Sequence, residues 1–230
     1  METQTPAKLF ITLVALSGLA VLGYGALHLH LSNVLRFMLF LTVAVLASRL
    51  KLKLPGLTGN MSVNLPFILI GLAEFSLPET LAVASVSTLC QSFPKGGRQP
   101  RLAQVLFNVA TVAIAVGIAA VAMSRTALHL GVLSRSLLVV VATVTFFMVN
   151  TVPVAAIVSL TEGLKLVKVW QAIFAWSFPY YVLSGGVASV VASLDRYVGW
   201  YLPLGLLLLM YGTYRSFKLY FGRATAVAMA

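Results

Sequence analysis

Eight apolar segments succeed one another along this chain, at 9–27, 34–50, 63–76, 79–93, 102–123, 136–158, 166–193 and 197–214, and nearly all its cations lie at their ends. A helix rises about 1.5 Å per residue, so roughly 20 apolar residues cross a hydrocarbon core of about 30 Å. Six of the segments meet or approach that length. The third and fourth, at about 22 Å each, do not. A chain with 9% charged residues and a mean hydropathy of +0.99 is no ordinary soluble domain, where about a quarter of residues are charged. The expected fold is therefore an all-α polytopic membrane bundle over residues 1–223. It has six full spans plus a short hairpin or re-entrant loop at 63–93, and a frayed tail at 224–230.

Charge placement orients the spans. The net charge of +11 forms no basic stripe interleaved with aromatics, which argues against nucleic acid as a partner. With the N-terminus in the cytoplasm and all segments threaded alternately, Lys8, Arg49, Lys51, Lys53, Lys95, Arg98, Arg101, Lys165, Lys168, Arg215, Lys218 and Arg223 fall inside. Arg36, Arg125, Arg135 and Arg196 fall outside. This bias predicts a bacterial inner-membrane protein with both termini cytoplasmic. Reading 63–93 as one continuous span moves Lys95, Arg98 and Arg101 outside and leaves Pro78 and two glutamates at mid-bilayer. That reading loses on both counts. A crossing hairpin and a re-entrant loop have the same parity, so charge counting leaves both open. No small-x-small cleavage site follows the first segment, so it is expected to remain as an uncleaved helix. Cys90 is the single cysteine and forms no intrachain disulfide.

Carboxylates are scarce: Glu2, Glu74, Glu79, Glu162 and Asp195 are all there are. At membrane depth each costs several kcal/mol unless paired, solvated or protonated. Glu79 follows Pro78 and suits a helix start, where the helix dipole favours an anion. Glu74 either ends a helix in water or belongs to a polar site, and short Pro-interrupted segments are where membrane proteins place ligands. Glu162 has the same two readings, with Gly163, Lys165 and Lys168 favouring a wet cytoplasmic loop. Asn64, Asn108 and Asn150 lie in apolar surroundings, where an amide bonds neighbouring helices or contacts a ligand. Gln104 and Asn108 share a helix face at i, i+4 and are the candidate partners of Glu74. The candidate ligand-binding set is thus Asn64, Glu74, Gln104, Asn108, Asn150 and Glu162, for a small polar or cationic ligand. His28, His30 and His129 offer too few ligands for a metal, and no cofactor motif is present. No Ser-His-Asp set, HExxH or P-loop argues for an enzyme. Pro179 is expected to kink the seventh segment. Trp176-Ser177-Phe178-Pro179-Tyr180-Tyr181 reads as an interfacial belt around that kink or as the lining of a pocket.

Leu54-Pro55-Gly56-Leu57-Thr58-Gly59-Asn60-Met61-Ser62-Val63-Asn64, Glu74-Phe75-Ser76-Leu77-Pro78-Glu79 and Gln104-Val105-Leu106-Phe107-Asn108-Val109-Ala110 carry a resemblance. So do Val149-Asn150-Thr151, Leu160-Thr161-Glu162-Gly163, Trp176-Ser177-Phe178-Pro179-Tyr180-Tyr181 and the terminal Tyr214-Arg215-Ser216-Phe217-Lys218-Leu219-Tyr220-Phe221-Gly222-Arg223. Over most of residues 50–223 the chain resembles the N-terminal multi-span membrane domain of bacterial signalling proteins with HD-GYP or GGDEF outputs. Neither output sequence follows Arg223, so the membrane module alone is expected. A more distant architectural similarity is to the substrate-binding membrane components of vitamin uptake transporters.

The resemblance implies a non-enzymatic sensory or ligand-binding module. It would signal through a basic C-terminal connector to a cytoplasmic output protein, or act within a homo-oligomer. The alternatives are a small-molecule transporter, or its substrate-binding component, and a structural membrane protein with no ligand.

Overall fold

The computed structural model describes residues 5–53, 60–62, 64–93, 101–130 and 135–198, with Gly205, Leu208, Tyr211, Gly212 and Arg215 beyond them. Among the described residues the helices α1 Thr5–Leu27, α2 Val34–Ser48, α3 Leu65–Glu74, α4 Leu77–Ser92, α5 Leu102–Leu130, α6 Arg135–Glu162 and α7 Leu166–Val198 follow in chain order. Between α2 and α3, β1 (Lys51–Lys53) and β2 (Asn60–Ser62) pair antiparallel, Leu52 opposite Met61. The fold is helical, as expected, apart from this ribbon, which the sequence reading treats only as a tight loop.

Span by span, the expectation is met in part. Among the described residues, three helices, α1, α5 and α6, are long and apolar enough to cross a membrane, and α7 makes a fourth if its bent halves count as one. The expected second span is a helix of only 15 residues, about 22 Å long. The eighth segment, 197–214, lies mostly outside the described residues, although Gly205, Leu208, Tyr211 and Gly212 within it are helical.

Local chemistry sets the helix limits. Asn33 caps α2 by accepting a hydrogen bond from the Arg36 amide at 3.0 Å. Pro66 and Pro78 sit in the first turns of α3 and α4, where a missing N–H costs nothing. Were α3 to continue, Pro78 could not donate to the Glu74 carbonyl and its ring would crowd that turn. The chain instead turns at Phe75 and Ser76, both extended. Ser76 and Glu79 then form a capping box. The Ser76 amide and hydroxyl donate to Glu79 Oε2 at 2.9 and 2.7 Å, and the Glu79 amide donates to Ser76 Oγ. In α7, Pro179 cannot donate to the Ala175 carbonyl, and the helix bends by 49° between Ala175 and Ser177, as a proline kink should.

Packing runs opposite to segment length. Short α3 is buried on every side from Leu65 to Gly71 and touches α4, α5, α6 and α7. Long α1 buries only Ala7, Val14, Gly18 and Gly25, while Leu9, Leu13, Leu16 and Leu19 are all more than half exposed. An apolar helix with its leucines outward is suited to lipid. Because lipid is as apolar as leucine, close fit rather than water exclusion holds such helices together. A Cβ on Gly18 would collide with Ala110 of α5, and one on Gly185 would meet Thr143 of α6 at 2.7 Å. Those glycines set two helix–helix contacts.

Candidate functional site

Glu74 is the last residue of α3 and its side chain is only 5% exposed. Two arginines from separate helices face it. Arg36 Nη2, in the first turn of α2, lies 3.4 Å from Oε2, and Arg135 Nη1, the first residue of α6, lies 3.6 Å from Oε1. The Asn33 cap fixes the backbone that carries Arg36. Arg36 also stands over the Phe75 ring, 5.3 Å from its centre, a cation–π placement. Phe75 packs in turn against Phe37 and Phe40.

These partners fix where the tip of the hairpin lies. It meets the starts of α2 and α6, at the end of the bundle where α1 hands over to α2 and α5 to α6. Leu72, Phe75, Leu77 and Thr80 face Ala120, Met123 and Ser124 of α5 across a cleft of about 200 Å³. The tip thus reaches the C-terminal third of α5 and does not stop halfway along it.

The other candidate residues lie elsewhere. Asn64, 6% exposed, donates to Ser87 Oγ at 3.2 Å and ties the base of α3 to α4. It is ten residues from Glu74 along α3, about 15 Å. Asn150 donates to the Tyr181 hydroxyl at 2.8 Å, and Trp170 Nε1 donates to Thr151 Oγ1 at 3.3 Å, joining α6 to α7. Phe147, Phe174, Phe178 and Tyr181 pack edge-on and stacked around that link. Glu162 is exposed at the end of α6, before Gly163 with φ +68°, the left-handed position that closes many helices. It is about 40 Å along α6 from Arg135.

Gln104 is exposed and Asn108 half-buried near the start of α5. Asn108 lies twelve residues from Ala120, about 18 Å below the hairpin tip. The expected pairing of Glu74 with the Gln104–Asn108 face is therefore overturned: the antiparallel course of α4 and α5 carries them to opposite ends. The six residues do not converge on one site. The partners that sequence reasoning missed are Arg36 and Arg135. Their signal was present in the charge count, which puts both on the sparsely charged outer side, where the hairpin turn also falls.

Helices clad in outward leucines around a short, charge-tethered hairpin make a helical domain suited to a membrane. The family comparison agrees: residues 9–218, nearly the whole chain, match the MASE9 family of membrane-associated sensory domains, and the protein belongs to it. No curated protein and no solved structure matches the chain.

Proposed function

We propose that this membrane sensory domain works without catalysis of its own, with the α3–α4 hairpin as its sensing element. On this reading the hairpin crosses the bilayer, in a molecule of six full spans with both termini in the cytoplasm of a bacterial inner membrane. The state of the hairpin tip reaches a separate cytoplasmic output protein through α6, α7 and the basic C-terminal connector.

The observation that carries this reading is the position of Glu74. Its buried carboxylate ends the most enclosed helix and engages arginines that start two others. A signal that loosens this contact frees the tip from α2 and α6 together. Because Arg36 and Arg135 are partly exposed, water screens each pair to about 1 kcal/mol, still enough to change a two-state ratio about fivefold.

Nitroxides at Val167 and Arg215 of the full chain in lipid provide the test, since both positions are exposed. Glu74→Gln, or Arg36→Gln where that variant is poorly folded, is expected to shift the distance distribution between them. An unchanged distribution in folded variants overturns the coupling. Substrate uptake by proteoliposomes of the wild type, lost in Glu74→Gln, would overturn the sensory reading in favour of transport.

A further inference from the structure

The cleft between the hairpin tip and α5 is a ligand-sized space that the contacts of Glu74 leave open. Its volume is about 200 Å³, somewhat more than the roughly 150 Å³ in which a dry apolar cavity takes up benzene. The α3–α4 turn supplies Leu72, Phe75 and Leu77, and one face of α5 supplies Ala120, Met123 and Ser124 at i, i+3 and i+4. None of the described residues that line it is charged, so an ion would enter without a counter-charge, at a cost that a neutral molecule avoids. Phe75 and Met123 offer soft, polarisable surface, which suits a flat aromatic ring. The polar groups narrow the choice further. The Ser124 hydroxyl donates to the Ala120 carbonyl at 3.0 Å, and the fully buried Thr80 hydroxyl donates to the Ser76 carbonyl at 2.9 Å. With their protons so placed, these oxygens can still accept, and of the two only Ser124 is exposed. A ligand that uses it must bring the hydrogen.

We propose that this cleft binds a small neutral aromatic molecule bearing one O–H or N–H, which donates to Ser124 Oγ. Bound there, the molecule fastens the hairpin tip to α5. Phe75 links the site to the ion pairs, because it lines the cleft and also carries the Arg36 guanidinium over its ring. Occupancy thus bears on the Arg36–Glu74 contact through one side chain. The scarce glutamates, read alone, point instead to a cationic ligand. The proposal rests on the sensory reading of the hairpin and names the class of molecule that reading would detect.

The test is thermal unfolding of the full chain in detergent at neutral pH, titrated with 1-naphthol, naphthalene or naphthalene-1-sulfonate. Naphthol is expected to raise the midpoint saturably and to bind about fivefold more tightly than naphthalene, the factor that roughly 1 kcal/mol from one hydrogen bond produces. The sulfonate is expected to give no saturable rise. Ser124→Ala should remove the preference for naphthol and leave naphthalene binding unchanged. Neither the loss of a structural contact nor partition into micelles would do that. Ala120→Leu fills the cleft and should abolish both responses. Ala120→Val serves where the leucine variant is poorly folded.

A naphthol response that never saturates overturns the proposal. So does one that survives unchanged in the folded Ala120 variant, one that keeps its margin over naphthalene in Ser124→Ala, or a sulfonate that binds as tightly as naphthol. The two readings fail separately. Naphthol binding with no change in the Val167–Arg215 distance keeps the site and removes the coupling. A distance change in Glu74→Gln without naphthol binding keeps the coupling and removes the site.

Discussion

Asn64 and Ser87 illustrate how single polar side chains act in this apolar interior. Their hydrogen bond at 3.2 Å joins the base of α3 to α4, and Ser87 in turn donates to the Ala84 carbonyl. Interhelical bonds in membranes are worth roughly 1 kcal/mol. Ser87→Ala, which leaves the buried Asn64 amide without this acceptor, is expected to cost about 1–2 kcal/mol, read as a lower unfolding midpoint. Glycines supply a second prediction at this scale. Gly18→Ala forces a methyl group into Ala110, whereas Gly23→Ala meets nothing within 4 Å. Overpacking typically costs about 1–3 kcal/mol, so Gly18→Ala should lower the midpoint while Gly23→Ala leaves it near the wild-type value. Equal behaviour of the two would contradict the close α1–α5 contact.

At the scale of elements, the bend in α7 follows from the hydrogen bond that Pro179 cannot make. Pro179→Ala restores a donor to the Ala175 carbonyl and should straighten the 49° bend. Labels at the exposed Val167 and Val190 would then move apart by roughly 3 Å, judged from the helical rise on either side. An unchanged distance would assign the bend to packing instead of to the proline. The sequence makes this kink legible, as it does α1, α5 and α6, because run length and proline are local signals. The helix start at Glu79 is local too, written in the Ser76-x-x-Glu79 spacing. The β1–β2 ribbon is not, since two three-residue strands carry no periodicity to read. The partners of Glu74 are also hidden from local reading. Arg36 and Arg135 lie 38 and 61 residues away, and only the packing of three helices brings them together. Gln104 and Asn108 misled for the converse reason: sharing a helix face says nothing of which end of the neighbouring helix they meet.

For the whole molecule, the central claim is that the short hairpin traverses the bundle and places its tip, with Glu74, on the side away from the cytoplasm. The lengths of α3 and α4, 10 and 16 residues, suggest a shallow element. The partners of Glu74 argue the reverse, because they begin the two helices that start at that end. The most direct measurement is the accessibility of a cysteine at the exposed Ser76, in the full chain with Cys90→Ser, to a membrane-impermeant maleimide applied to spheroplasts. Cysteines at His30 and Lys165, on the α1–α2 and α6–α7 connections, mark the two sides. Labelling of Ser76→Cys from outside, alongside His30→Cys, is the predicted result. Labelling only after permeabilisation, alongside Lys165→Cys, would contradict it.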